Sequence, residues 1–152
     1  MGERLKTQDK LKAWEIRDGN SMVCAFCKVG LDSHVHLFFS CPFSMSVWKM
    51  MQPMMIMDLN VFDWHVVVDR ILPVAARKLA RVMVSKLCLA ATIYGLLWER
   101  NSRIFKKVFR TEKQVFDAIV SNVRLKLMTI SFKNSSNVSR IRDIWRLDNV
   151  NV

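Results

Sequence analysis

Glycine and proline are scarce in this chain, with 4 Gly and 3 Pro in 152 residues. Sandwiches and barrels draw on both at their many turns, so this scarcity excludes a turn-rich all-β fold and favours helix. A secretory leader is not visible either: Met1-Gly2-Glu3-Arg4 is polar and no apolar stretch follows it. Nor does Gly2 open a myristoylation signal, because position 6 is Lys6 rather than Ser or Thr. A long unbroken apolar run is missing. The longest stretch, Val82 to Trp98, is interrupted by Lys86 and is slightly short for a bilayer, so it reads as a buried helix. Disorder throughout is excluded by a hydrophobic content of 51% and an aromatic content of 10%.

Acidic residues are short in one half only. Residues 1–76 hold 8 Lys/Arg against 8 Asp/Glu, whereas residues 77–152 hold 16 against 5, so the whole net charge of +11 lies in the second half. Such asymmetry is expected of a chain that meets a polyanion, because phosphate contacts supply most non-specific affinity. The densest cluster is Arg100, Arg103, Lys106, Lys107 and Arg110, beside Ile104, Phe105 and Val108. Basic residues next to aromatics can hold phosphates and stack bases. A solvated helix end complementing the helix dipole has the same composition.

What the chain does have is a ligand set. Cys24, Cys27, His36 and Cys41 follow the pattern C-x2-C, an eight-residue gap, then H-x4-C. Zn²⁺ takes four ligands in a tetrahedron, thiolate and imidazole suit it, and a C-x2-C turn aims two sulfurs at one point. Four protein ligands leave no place for an activated water, so the site reads as one structural zinc and not a hydrolase centre. Lys28 and Gly30 supply the permissive backbone that such a turn needs. Ser40-Cys41-Pro42 reads as a helix start, where the dipole favours the Cys41 thiolate. His36 gives the short return to Cys41, which leaves His34 as a solvent or supporting residue. Cys88 stands alone. The cysteine usage suits a reducing, intracellular compartment, nuclear or cytoplasmic, rather than a disulfide framework.

The organisation expected is mainly α: a small zinc-stabilised loop and helix, then a long helix and a C-terminal amphipathic helix. Residues 1–52 form the zinc-binding module, 53–73 a connecting segment, 74–130 a helical region, and 131–152 a polar linker with a terminal amphipathic segment. Thr7 caps a short first helix. After Pro42 a helix carries Phe43, Val47, Trp48 and Met51 on one face until Pro53. The Met-rich run at 50–57 fills core. A long helix over about 74–107 is apolar on most sides, save one stripe of Arg81, Ser85, Cys88, Thr92, Gly95 and Glu99 whose small residues let another helix approach. Thr111 to Gln114 has the form of a capping box. The helix it opens turns Phe116, Ile119, Val120, Val123, Leu127 and Ile130 inward, and a piece over 138–147 docks through Ile141, Ile144 and Trp145.

RLKTQDKL, CAFC, HLFFSCPFSMSVW, IYGLLWERNSRIF and VRLKLMTISFKNSSNVSRIRDIW together resemble the reverse-transcriptase zinc-binding domain of plant LINE-type retrotransposons. The resemblance runs over nearly the whole chain, lacks the Trp-rich helices that usually precede it, and so implies an N-terminally truncated copy. It implies that Cys24, Cys27, His36 and Cys41 are the zinc positions and that His34 is not. It also implies a module downstream of a polymerase that handles nucleic acid. A polymerase palm presents Tyr-x-Asp-Asp, whereas Tyr94 precedes Gly-Leu-Leu, no Asp-Asp pair occurs, and 108–152 carries no ribonuclease H carboxylate set. The expected protein is therefore a non-catalytic zinc module that binds RNA or DNA largely through phosphates, with no membrane and no small-molecule substrate. The competing expectations are a protein-interaction module using the Met-rich segment and the long helix, or a gene fragment without function.

Overall fold

A computed structural model describes residues 23–56, 65, 66, 69, 79–133 and 135–147. The short helix expected after Thr7 lies outside the described residues, as do most of the connecting segment and the expected start of the long helix at 74–78. Among the described residues the chain is helical without strands, and one isolated antiparallel bridge joins Val23 to Leu31 across the cysteine loop.

The loop leads through a π-helical turn, His36–Ser40, into α1, Pro42–Met51. Pro42 occupies the first helical position, where its missing N–H and fixed φ cost nothing. Phe43, Val47, Trp48 and Met51 are buried along the expected face. The Trp48 indole donates to the Phe38 carbonyl at 2.7 Å, which ties α1 back to the π turn. A 3-10 turn, Gln52–Met54, follows, and both Met51 and Met55 lie in the core.

Helix α2, Ala80–Asn101, continues as a π-helical turn, Ser102–Lys106, and stops where Lys107 turns left-handed at φ 54°. By length and composition alone the stretch Ala80–Lys106, with mean hydropathy 1.5, is long and apolar enough to cross a membrane. Here it is the helix that α1, α3 and α4 pack against. Its small-residue stripe works as expected. Ser85, Cys88 and Thr92 are fully buried, and a Cβ on Gly95 would meet Ile119 Cγ1 of α3 at 2.7 Å. Glu99, at the end of the same stripe, is also fully buried.

Helix α3, Glu112–Met128, opens on the capping box: Thr111 Oγ1 accepts from the Gln114 amide and the Gln114 side chain accepts from the Thr111 amide. Its buried face is Val115, Ile119, Val123 and Leu127, with Phe116 and Val120 only partly covered. The expected inward residues all meet the core, Ile119, Val123 and Leu127 buried and Phe116, Val120 and Ile130 packed against its edge, and Val115 joins them because it heads the i, i+4 row of the buried three. Helix α4, Ser136–Trp145, begins inside the serine/asparagine-rich stretch, capped by the Ser135 hydroxyl, and buries Val138, Ile141 and Trp145. One apolar cluster runs from Cys24 and Phe38 through Leu96 and Ile119 to Trp145, so the loop and the helices share a core.

Candidate metal centre

Three pieces of local structure bring the ligands together. The turn after Cys24 is closed by Lys28 N–H to the Cys24 carbonyl at 3.0 Å, and Cys24 N–H donates to the Gly30 carbonyl at 2.7 Å. Lys28 takes the left-handed conformation, φ 61°, that lets the chain reverse after Cys27. His36 sits at the start of the π turn, its amide donating to Ser33 Oγ at 3.2 Å. Cys41 is the N-cap of α1. The permissive position is thus Lys28, and Gly30 serves a different end. A Cβ there would lie 2.3 Å from His36 Cε1 and 2.5 Å from Nε2, so only glycine leaves room for the imidazole.

A tetrahedral zinc with Zn–S of about 2.3 Å and Zn–N of about 2.0 Å sets its sulfurs about 3.8 Å apart and sulfur and nitrogen about 3.5 Å apart. Cys24 Sγ is 3.8 Å from Cys41 Sγ, Cys27 Sγ is 3.3 Å from His36 Nε2, and all four ligand atoms lie within 4.8 Å of one another. The residues fit the ion. They form one structural zinc site, with Nε2 as the imidazole donor, and zinc when bound would fix the loop as a four-point cross-link. His34, by contrast, lies edge-on against Phe38 at 5.1 Å between ring centres.

Two of the three ligand sulfurs, Cys24 and Cys27, are prepared for thiolate chemistry. The hydrogen bond from Cys41 holds the Cys24 thiol down at about 5, helped against burial by the amides of Cys27 and Phe26. Burial pushes Cys27 up, but the amides of Gly30 and Val29 and the His36 ring outweigh it and its value falls. Burial alone would depress His36, and the neighbouring Cys27 and Cys24 sulfurs raise it instead. The expected low value for Cys41 is not found. The proton shared with Cys24 stays on Cys41 and burial adds to the rise, although the amides of Ser44 and Phe43 at the start of α1 pull the other way. Two buried thiolates at this spacing repel, so only a bound cation lets both ionise.

Around the ligands, the basic cluster at the end of α2 is divided. The structure does not bring the five expected phosphate contacts to one face. Arg100 is 3% exposed and turned inward: its Nε donates to Asp32 Oδ1 at 3.1 Å, and a second bond joins its Nη2 to Asp32 Oδ2. This pins the segment between the metal ligands to α2. Arg103 is turned inward too. Its Nε donates to Glu99 at 2.8 Å and its Nη2 to the Arg110 carbonyl at 2.7 Å. Its guanidinium lies over the rings of Phe43 at 4.4 Å and Phe26 at 5.1 Å, which themselves stack at 4.6 Å. Phe26 stands between Cys24 and Cys27, and Phe43 two residues after Cys41, so Arg103 braces both arms of the site. Both arginines are taken up by buried carboxylates, because a guanidinium in the core must be paired. Lys106 and Lys107 are exposed and Arg110 is half-buried.

Asp32 and Glu99 were not among the expected site residues, although both hold these arginines. The i, i+4 spacing of Glu99 and Arg103 could have signalled one pair, while nothing in the spacing signals Asp32 and Arg100. Cys88 is fully buried and burial pushes its thiol up to about 12, consistent with a packing role. Neither a curated protein nor a solved structure matches the chain. Residues 1–48, which contain all four ligands, match the family model described as zinc-binding in reverse transcriptase.

Proposed function

We propose that this chain is the zinc-stabilised accessory module of a retrotransposon reverse transcriptase of the LINE type, that it binds RNA or DNA through phosphates, and that it performs no chemistry itself. The observation that carries the reading is the surface left once Arg100 and Arg103 are withdrawn. Lys106, Lys107 and Arg110 stand beside the exposed Phe105 and Phe109, and among the described residues no carboxylate pairs with them. The buried carboxylates Asp32 and Glu99 are each held by an arginine, which does not make the carboxylate pair that metal-assisted phosphoryl chemistry uses.

A second reading has its own support. Phe105 is 77% exposed, and Phe109 and Val108 add to an apolar surface of the kind that docks a protein. Salt separates the two, since phosphate contacts weaken steeply with ionic strength and apolar docking does not. The test is the salt dependence of binding to labelled RNA and DNA by the wild type and by a Lys106→Gln/Lys107→Asn variant. If both lysines touch phosphate, the slope should flatten by about 1.4 on a single strand or about 1.8 on duplex DNA. Asparagine is used at 107 because it tolerates the left-handed backbone there. An unchanged slope and affinity would leave the charge as a solvated surface and favour the protein partner.

A further inference from the structure

A groove of about 380 Å³ runs between α2 and α3, within the size range of ligand clefts. Ala91, Gly95, Val115, Ala118 and Ile119 line it with small or aliphatic groups, while Tyr94, Trp98, Arg110 and Asn122 supply its aromatic and polar parts. Gly95 lets α3 come close here, with Ile119 filling the place a Cβ would take. Tyr94 and Trp98 are one helical turn apart on the same face of α2, and the residues are 65% and 36% exposed. Tyr94 is the more open of the two.

The charge at the mouth of the groove is fixed in place. The Arg110 amide donates to Glu99 Oε1 at 2.9 Å and its carbonyl accepts from Arg103 at 2.7 Å, so buried side chains hold its backbone on both sides. Its guanidinium lies over the Trp98 ring at 4.2 Å, and Lys106 approaches the same ring at 5.7 Å. Neither cation is paired with a carboxylate among the described residues. An aromatic platform flanked by unpaired cations, with a side-chain amide on the opposite wall, has the makeup of a nucleotide subsite: a ring to stack, a phosphate to neutralise and a base edge to bond.

We propose that this groove takes an unstacked base of single-stranded nucleic acid, laid against Tyr94 and the part of Trp98 that Arg110 leaves open, with its phosphate on Arg110, an inference that rests on the nucleic-acid reading above. A paired base cannot enter, because its faces are covered by its neighbours in the duplex. An apolar peptide would find the floor agreeable, but not the two unpaired cations at the mouth.

The test uses the full zinc-loaded chain with labelled oligothymidylate, oligouridylate and a blunt DNA duplex. Tyr94→Ala and Trp98→Ala should each weaken both single strands about fivefold to 150-fold, leaving duplex affinity and the salt slope in place. Phe at either position should retain binding. Because Trp98→Ala removes packing as well, a second measurement uses the wild type: ultraviolet cross-linking of a bromouridine oligomer should place its adduct on the tryptic peptide 87–100. Wild-type binding with no loss in the aromatic variants, equal loss on duplex and single strand, or adducts only elsewhere would overturn the base site while leaving the phosphate reading intact. A wild-type chain that binds no nucleic acid would remove both.

Discussion

Glycine 30 offers the sharpest test of the metal site. A methyl group there would sit 2.3, 2.5 and 2.7 Å from His36 Cε1, Nε2 and Nδ1. Non-bonded carbons settle at about 3.5 Å or more, so the imidazole must retreat by about 1 Å. Metal–ligand distances tolerate only about 0.2 Å, so that retreat takes Nε2 out of the coordination sphere. Gly30→Ala should therefore behave as a ligand deletion. Changes that merely disturb a ligand's support cost about tenfold to 100-fold in metal affinity, so the loss should reach about 100-fold or more. Competition against a chromophoric zinc chelator measures it. Cobalt substitution shows the cause, because the ligand-field bands of Gly30→Ala should coincide with those of His36→Ala. Lys28→Gly is the control: it relieves the left-handed backbone at φ 61° and should keep full affinity with equal or better stability. A Gly30→Ala protein with wild-type affinity and an unchanged cobalt spectrum would refute the placement of His36 and return His34 to consideration.

Asp32→Ala should destabilise the fold by about 3–5 kcal/mol in urea unfolding, since it leaves the buried Arg100 without its counter-charge. Adding Arg100→Met should recover part of the loss, and an additive double mutant would show that the pair is not coupled. Cys88 should resist alkylation in the folded, zinc-loaded protein, and Cys88→Ser should leave the zinc stoichiometry at one. The folded value of Cys88 is raised from 9.0 to about 12. The stability linked to its retained proton is therefore complete below pH 9 and is lost as pH climbs toward 12. Removing the thiol should shallow that alkaline limb of the stability curve, and an identical limb in the variant would count against the burial argument.

The ligand set, the helix after Pro42, the capping box and the small-residue stripe were all legible in the sequence, because each is written as a spacing pattern within one continuous segment. Residues that meet across the fold were not. Arg100 and Asp32 are 68 positions apart, and no spacing rule joins them, so a buried ion pair read as part of a surface cluster. The same holds for Arg103, whose place between Phe26 and Phe43 depends on how the loop lies against α2. Gly30 was noticed for the wrong reason. Its backbone angle is ordinary, and what requires glycine is the volume of a ring six residues ahead. On α3 the inward row was legible from Ile119 to Leu127, and only its first member, Val115, was passed over.

The common core of loop and helices has a consequence for how the metal-binding segment can be handled. Leu37, Phe38, Val47, Trp48 and Met51 are buried in one cluster with residues of α2, α3 and α4. A peptide ending at Met51 would keep every ligand and bare that apolar face to water. It is not a portable finger of the sort that can be strung in tandem or grafted onto another protein. Ion affinity measured on such a peptide would report a solvated, frayed chain, and sequence drift in the distal helices would be felt at the sulfurs. Metal retention in the intact chain is for that reason a readout of assembly quality along its whole length, sensitive to lesions that lie nowhere near a cysteine.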